Sequence, residues 1–148
     1  MPQYARPSAD TANPGNFTDQ SGGSTNLYQA IDEATASDAD YIQSPEAPSN
    51  AVYVTKLSSV ADPQSSTGHI MRMRTSVSVD GQSPIDITQQ LRQGYVNESN
   101  QGTLIAQQSR TGITSTTWTD STYTLSAAEA DAITNYSDLY YRFIVNQP

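Results

Sequence analysis

A chain of 148 residues with 35% hydrophobic side chains is long enough for one domain with a real core, and for two only if one part is extended. Fifteen acidic groups against seven basic ones, a net charge of -8, argue against DNA or RNA partners, because a phosphate binder needs a basic stripe. The absence of cysteine excludes disulfides, thiolate metal sites and thiol nucleophiles, so stability must come from core packing or from partners. No apolar run has the length of a membrane span, and MPQYARPSAD lacks the layout of a signal peptide. The expectation is therefore a protein made and used in a cytoplasm, or one that leaves it by cell lysis, with no membrane partner.

Residues 1–26 carry Pro2, Pro7, Pro14, Gly15, Gly22 and Gly23 among small polar residues, which predicts an extended N-terminal arm outside the folded body. Tyr4, Arg6 and Phe17 are spaced along it as anchor-type side chains for a partner surface. LYQAIDEA places Leu27, Ile31 and Ala34 at helical spacing behind Asn26, predicting a short helix capped by that asparagine. Tyr41 and Ile42 begin a strand that Pro45 and Pro48 interrupt, and AVYVTKL follows as a strand rich in β-branched and aromatic residues.

HIMRMRTSVSV alternates most cleanly, with Met71, Met73, Val77 and Val79 expected inward and Arg72, Arg74, Ser76 and Ser78 outward. Arg72 and Arg74 are candidate interface residues on that outer face. IDITQQLRQG supplies Ile85, Ile87 and Leu91 to one face, GTLIAQQSR gives a further strand, and TTWTDSTYTL is expected to send Trp118, Tyr123 and Leu125 to the core. Ser126, followed three residues later by Glu129, spells a capping box over a short helix. Leu139, Tyr141, Phe143 and Val145 then share one face of a closing strand, with Tyr140, Arg142 and Asn146 on the other. Seven or eight short strands predict an all-β fold: an antiparallel two-sheet sandwich over residues 27–148, with one or two short helices and the arm.

The pairing of LYQAIDEATASDADYI with YTLSAAEADAITNYSDLYYRF resembles a β-sandwich of structural proteins in tailed bacteriophages, over about residues 27 to 145. The resemblance implies a jelly-roll-like domain of the capsid cement or decoration type, with no catalytic residue, cofactor or metal to carry over. It implies a protein on the outer surface of the virion head that stabilises the lattice of the major capsid protein, and that itself forms a dimer or trimer. A tail- or fibre-associated module binding a receptor or carbohydrate is the alternative.

Three constellations compete with a purely structural role. His69, the only histidine, would have to carry any serine-type triad, yet no GxSxG elbow or HExxH helix accompanies it. Asp32, Glu33, Asp38 and Asp40 could supply oxygen ligands to calcium, but they lack the glycine and the closing glutamate of an EF-hand. Trp118, Tyr123, Tyr136, Tyr140 and Tyr141 could form an aromatic platform for sugars, or fill a core.

Overall fold

A computed structural model describes residues 1–81 and 83–148. The fold is all-β and antiparallel. One five-stranded sheet has the order β1 (Pro7–Ala12), β4 (Ala51–Leu57), β9 (Leu139–Asn146), β6 (Ile85–Gln93), β7 (Thr103–Ile113). Two ribbons form the opposing layer: β2 (Thr18–Asp19) with β3 (Ile42–Gln43), and β5 (Ile70–Thr75) with β8 (Thr119–Thr124). Among the described residues the helices are a 3-10 turn at Leu27–Ala30 and one α-helix, α1 (Ala127–Asp131).

Strand periodicity sets which face is buried. On β9, Leu139 and Tyr141 pack with Leu57, Met71, Leu91, Ile105 and Leu125 beneath the β5–β8 ribbon. Phe143 and Val145, farther along the same face, pack with Tyr53, Phe17 and Leu27 beneath the smaller ribbon and the 3-10 turn. The two layers are also tied by amides. The fully buried Gln89 donates from Nε2 to the Arg72 carbonyl at 3.0 Å and accepts from Gln108 Nε2 at 2.6 Å, so its burial leaves neither end unsatisfied.

The N-terminal stretch is extended, as composition implies, but it is not an arm separate from the body. Pro7–Ala12 forms an edge strand on β4, from Pro7 opposite Leu57 to Ala12 opposite Val54. Gln3 exchanges two hydrogen bonds with the backbone of Ala61, at 3.1 and 2.8 Å. Asn13 closes the next turn by bonding both the N–H and the C=O of Phe17, which delivers that ring into the core at 3% exposure. Gly15 lies so close to β4 that a Cβ would stand 2.3 Å from the Val52 nitrogen, so no larger residue fits. Proline and glycine, which read as linker composition, here shape tight turns against the sheet.

Other expectations are corrected locally. Asn26 adopts a left-handed conformation and makes no side-chain cap; Asp10 of β1 accepts the N–H groups of Leu27 and Tyr28 at 2.9 and 2.8 Å instead. The alternating strand stops at Thr75, and Val79 is exposed rather than inward. Trp118 precedes β8 and, half-buried rather than in the core, packs tilted against Tyr41, with centroids 5.7 Å apart. The Ser126–Glu129 capping box forms as predicted, with Ser126 N–H donating to Glu129 Oε2 at 2.7 Å and Glu129 N–H donating to Ser126 Oγ at 3.3 Å.

Candidate functional site

The expected interface residues separate into two that are engaged internally and three that stay accessible. Phe17 is core, so it offers nothing to a partner. Arg74 is held by its own chain: Nε and Nη2 donate to the two oxygens of Asp38 at 2.7 and 2.9 Å, and Nη1 donates to Asp120 at 3.1 Å. That bidentate pair staples the loop before β3 to the β5–β8 ribbon, and the Arg74 guanidinium holds the Asp38 carboxyl below the usual range. Arg72 projects outward from β5 beside the exposed Ile70. Tyr4 is 60% exposed, and the Arg6 guanidinium lies over its ring at 5.3 Å from the centroid. The backbone of Arg6 is fixed to Ser58, whose N–H donates to the Arg6 carbonyl at 2.7 Å, so this pair is presented on ordered chain.

The acidic cluster is divided. Asp38 is committed to Arg74, while Glu33 is pushed up by burial and by the neighbouring carboxyl groups of Asp40 and Asp32. Gln20 donates to Asp40 at 3.0 Å, whereas Glu33 Oε1 is buried without a hydrogen-bond partner among the described residues. No set of three metal-ligating side chains is grouped for an ion among the described residues.

His69 Nε2 and Tyr136 Oη share a hydrogen bond of 2.7 Å, and the rings tilt together at 5.9 Å. Its Nδ1 is buried without a partner among the described residues. A triad needs a nucleophile and an acid in line through the imidazole, whereas this ring joins a phenol on one side and nothing on the other. The neighbouring cleft, about 430 Å³, is open and lined by Asp62, Gln64, Ser65, Asp131 and Tyr136.

The aromatic residues do not converge on one platform. Tyr123 bonds Glu129 at 2.9 Å, Tyr136 serves His69, and Tyr141 packs in the first core cluster, where burial raises its pKa to about 12. Tyr140 lies on the opposite face under Tyr95, with centroids 5.8 Å apart. Trp118, half-buried like Tyr123 and Tyr136, pairs with Tyr41.

One polar constellation escapes sequence reading. The β6–β7 connection folds over the second face of the sheet and seats Tyr95 and Glu98 against β9. Arg142 Nη2 donates to Glu98 Oε2 at 2.6 Å and Nε donates to Oε1 at 3.1 Å; Tyr95 Oη donates to the same Oε1 at 2.8 Å. Arg92 Nε and Arg142 Nη1 both donate to Gln90 Oε1, at 2.8 and 3.3 Å. The Arg142 guanidinium keeps Glu98 below the ordinary carboxylate range, and burial pushes Tyr95 up to about 12. Every group here has a partner, so the cluster fastens a loop to the sheet rather than presenting a reactive atom. Its signal in the sequence was weak, because Arg142 and Glu98 are far apart along the chain and strand alternation marks Arg142 simply as outward. No family model, curated protein or solved structure matches this chain.

Proposed function

We propose that this chain is a non-enzymatic structural protein of a tailed-bacteriophage particle, bound to the outer surface of the head and bracing the lattice of the major capsid protein. The observation that carries the reading is the distribution of its adhesive groups. Arg74, Arg142, His69 and most of the tyrosines are spent inside the molecule, whereas the Tyr4–Arg6 pair is displayed on a backbone clamped to the body. Tyrosine and arginine dominate binding hot spots, and an ordered backbone lowers the entropy lost when they dock. A protein that binds the assembled shell and not its separated subunits stabilises the shell by mass action.

The competing reading is a tail or fibre module that binds a receptor or carbohydrate, and the feature favouring it is the Tyr41–Trp118 pair. Copy number and position in the purified particle separate the two. Many copies at lattice positions on the head support the cement reading, and Tyr4→Ala with Arg6→Ala should then reduce occupancy while leaving the circular dichroism spectrum unchanged. A few copies at the tail, with glycan-array signal lost in Trp118→Ala, would overturn it.

A further inference from the structure

Between the 3-10 turn and β3, residues 31–41 carry three half-buried carboxyls, those of Asp32, Glu33 and Asp40, with Asp32 and Asp40 both acting on Glu33. Two acids of this loop have donors: Asp38 is held by Arg74, which reaches it from β5, and Asp40 accepts from Gln20 Nε2 at 3.0 Å. Glu33 differs, because its Oε1 is buried and no donor meets it among the described residues. A buried carboxylate oxygen without a donor costs free energy that the neutral acid avoids, since the acid supplies its own O–H. Asp40 is at hand to accept that O–H, and two carboxyls bond each other only when one of them carries a proton. Arg74, the cation that touches this loop, is fully used by Asp38 and Asp120.

We propose that Glu33 and Asp40 share one proton, and that its loss as pH rises loosens residues 31–41 and with them the seat of Trp118. Gln20 couples the two places. Its Nε2 donates to Asp40, its Oε1 accepts the N–H of Tyr41 at 3.4 Å, and the Tyr41 ring packs on Trp118 with centroids 5.7 Å apart. Burial first, and then Asp40 and Asp32, raise the Glu33 carboxyl above its ordinary range. Between the unfolded value of about 4.3 and that higher folded value, the native chain holds a proton that the unfolded chain has lost. The contribution of Glu33 to stability therefore falls as pH rises across this window and is flat on either side of it. Asp38, held below the usual range by Arg74, and Glu98, held below it by Arg142, make their pH-dependent contributions beneath that window. Because the Asp38–Arg74 pair persists through the change, the loop loosens without detaching from the β5–β8 ribbon.

Trp118 is the only tryptophan, so its fluorescence reports on the loop without a label. Titration of the full chain from about pH 3 to about pH 8 should show a reversible change in Trp118 emission with a midpoint above about 4.3, the value of a free glutamate. Glu33→Gln, which keeps the shape and places a permanent N–H donor toward Asp40, should abolish that step. It should also raise Tm by a few degrees near neutrality and match the native Tm in acid. Asp40→Asn should keep the step but shift its midpoint down toward that of a free glutamate. The same step in Glu33→Gln overturns the proposal, as does native emission that stays flat above about pH 4.3. A Tm raised by millimolar calcium in the native chain and not in Glu33→Gln would overturn it too, because the orphaned oxygen would then meet a cation rather than a proton. The device belongs to the fold alone: its failure leaves the head-binding reading untouched, and failure to bind a head leaves the titration unchanged.

Discussion

Single side chains act here as connectors between distant segments. Asp10 is the clearest: its carboxylate accepts from Leu27 N–H, Tyr28 N–H and, at 2.7 Å, from the hydroxyl of the fully buried Tyr53, whose pKa is pushed well above the phenol range by burial and then by Asp10 itself. Asp10→Ala leaves three donors without an acceptor, and should lower stability by about 2 kcal/mol. Thermal melts followed by circular dichroism should register this as a fall in Tm, with Tyr53→Phe falling less because it removes donor and demand together. Glu98 gives a pH-dependent counterpart. Its folded-state pKa is depressed by Arg142, so its contribution is fully present above the unfolded value of about 4.3 and drains away as pH falls through the lower folded value. Glu98→Gln should therefore melt lower at neutral pH, by about 2 kcal/mol, and lose less on acidification than the native protein. Equal acid sensitivity of the two proteins would contradict this assignment.

At the scale of elements, the N-terminal stretch determines how truncations behave. Removal of residues 1–26 would strip β1 from β4, delete Phe17 from the core and leave Tyr53 without Asp10. The loss of Phe17 alone corresponds to about 3 kcal/mol or more. Such a truncation should be insoluble or lack a cooperative melt, whereas removal of residues 2–4, which carry the exposed Tyr4, should leave the spectrum and Tm nearly unchanged. A soluble, cooperative product from the longer deletion would show that β1 is dispensable. Helix α1 and the 3-10 turn make an instructive contrast. The first was legible because Ser126 and Glu129 cap each other within one turn, a purely local device. The second is capped by a carboxylate from another strand, and so the residue just before it, Asn26, misled.

For the whole molecule, the two core clusters share β9, whose residues 139–145 reach from one ribbon to the other on a single face. Both ribbons therefore depend on the same central strands, and unfolding should be one transition by near- and far-ultraviolet circular dichroism. Two separated transitions would mean that the ribbons pack independently. Hydrogen exchange should be slowest in β4, β9 and β6, which are paired on both sides, and fastest in β2 and β3, which pair over only two residues each.

Period-two alternation and the capping box were sufficient to determine an antiparallel β protein and its inward residues on β9, and the lack of cysteine excluded disulfides and thiol chemistry. These are local or compositional properties, which short-range sterics and burial decide. Tertiary structure alone decided that Phe17 is core, that Arg74 and Arg142 are neutralised by Asp38 and Glu98, and that the five candidate aromatics scatter. Partners in each case lie on segments remote in the chain, and alternation states only on which face a side chain stands, not what another segment brings to meet it.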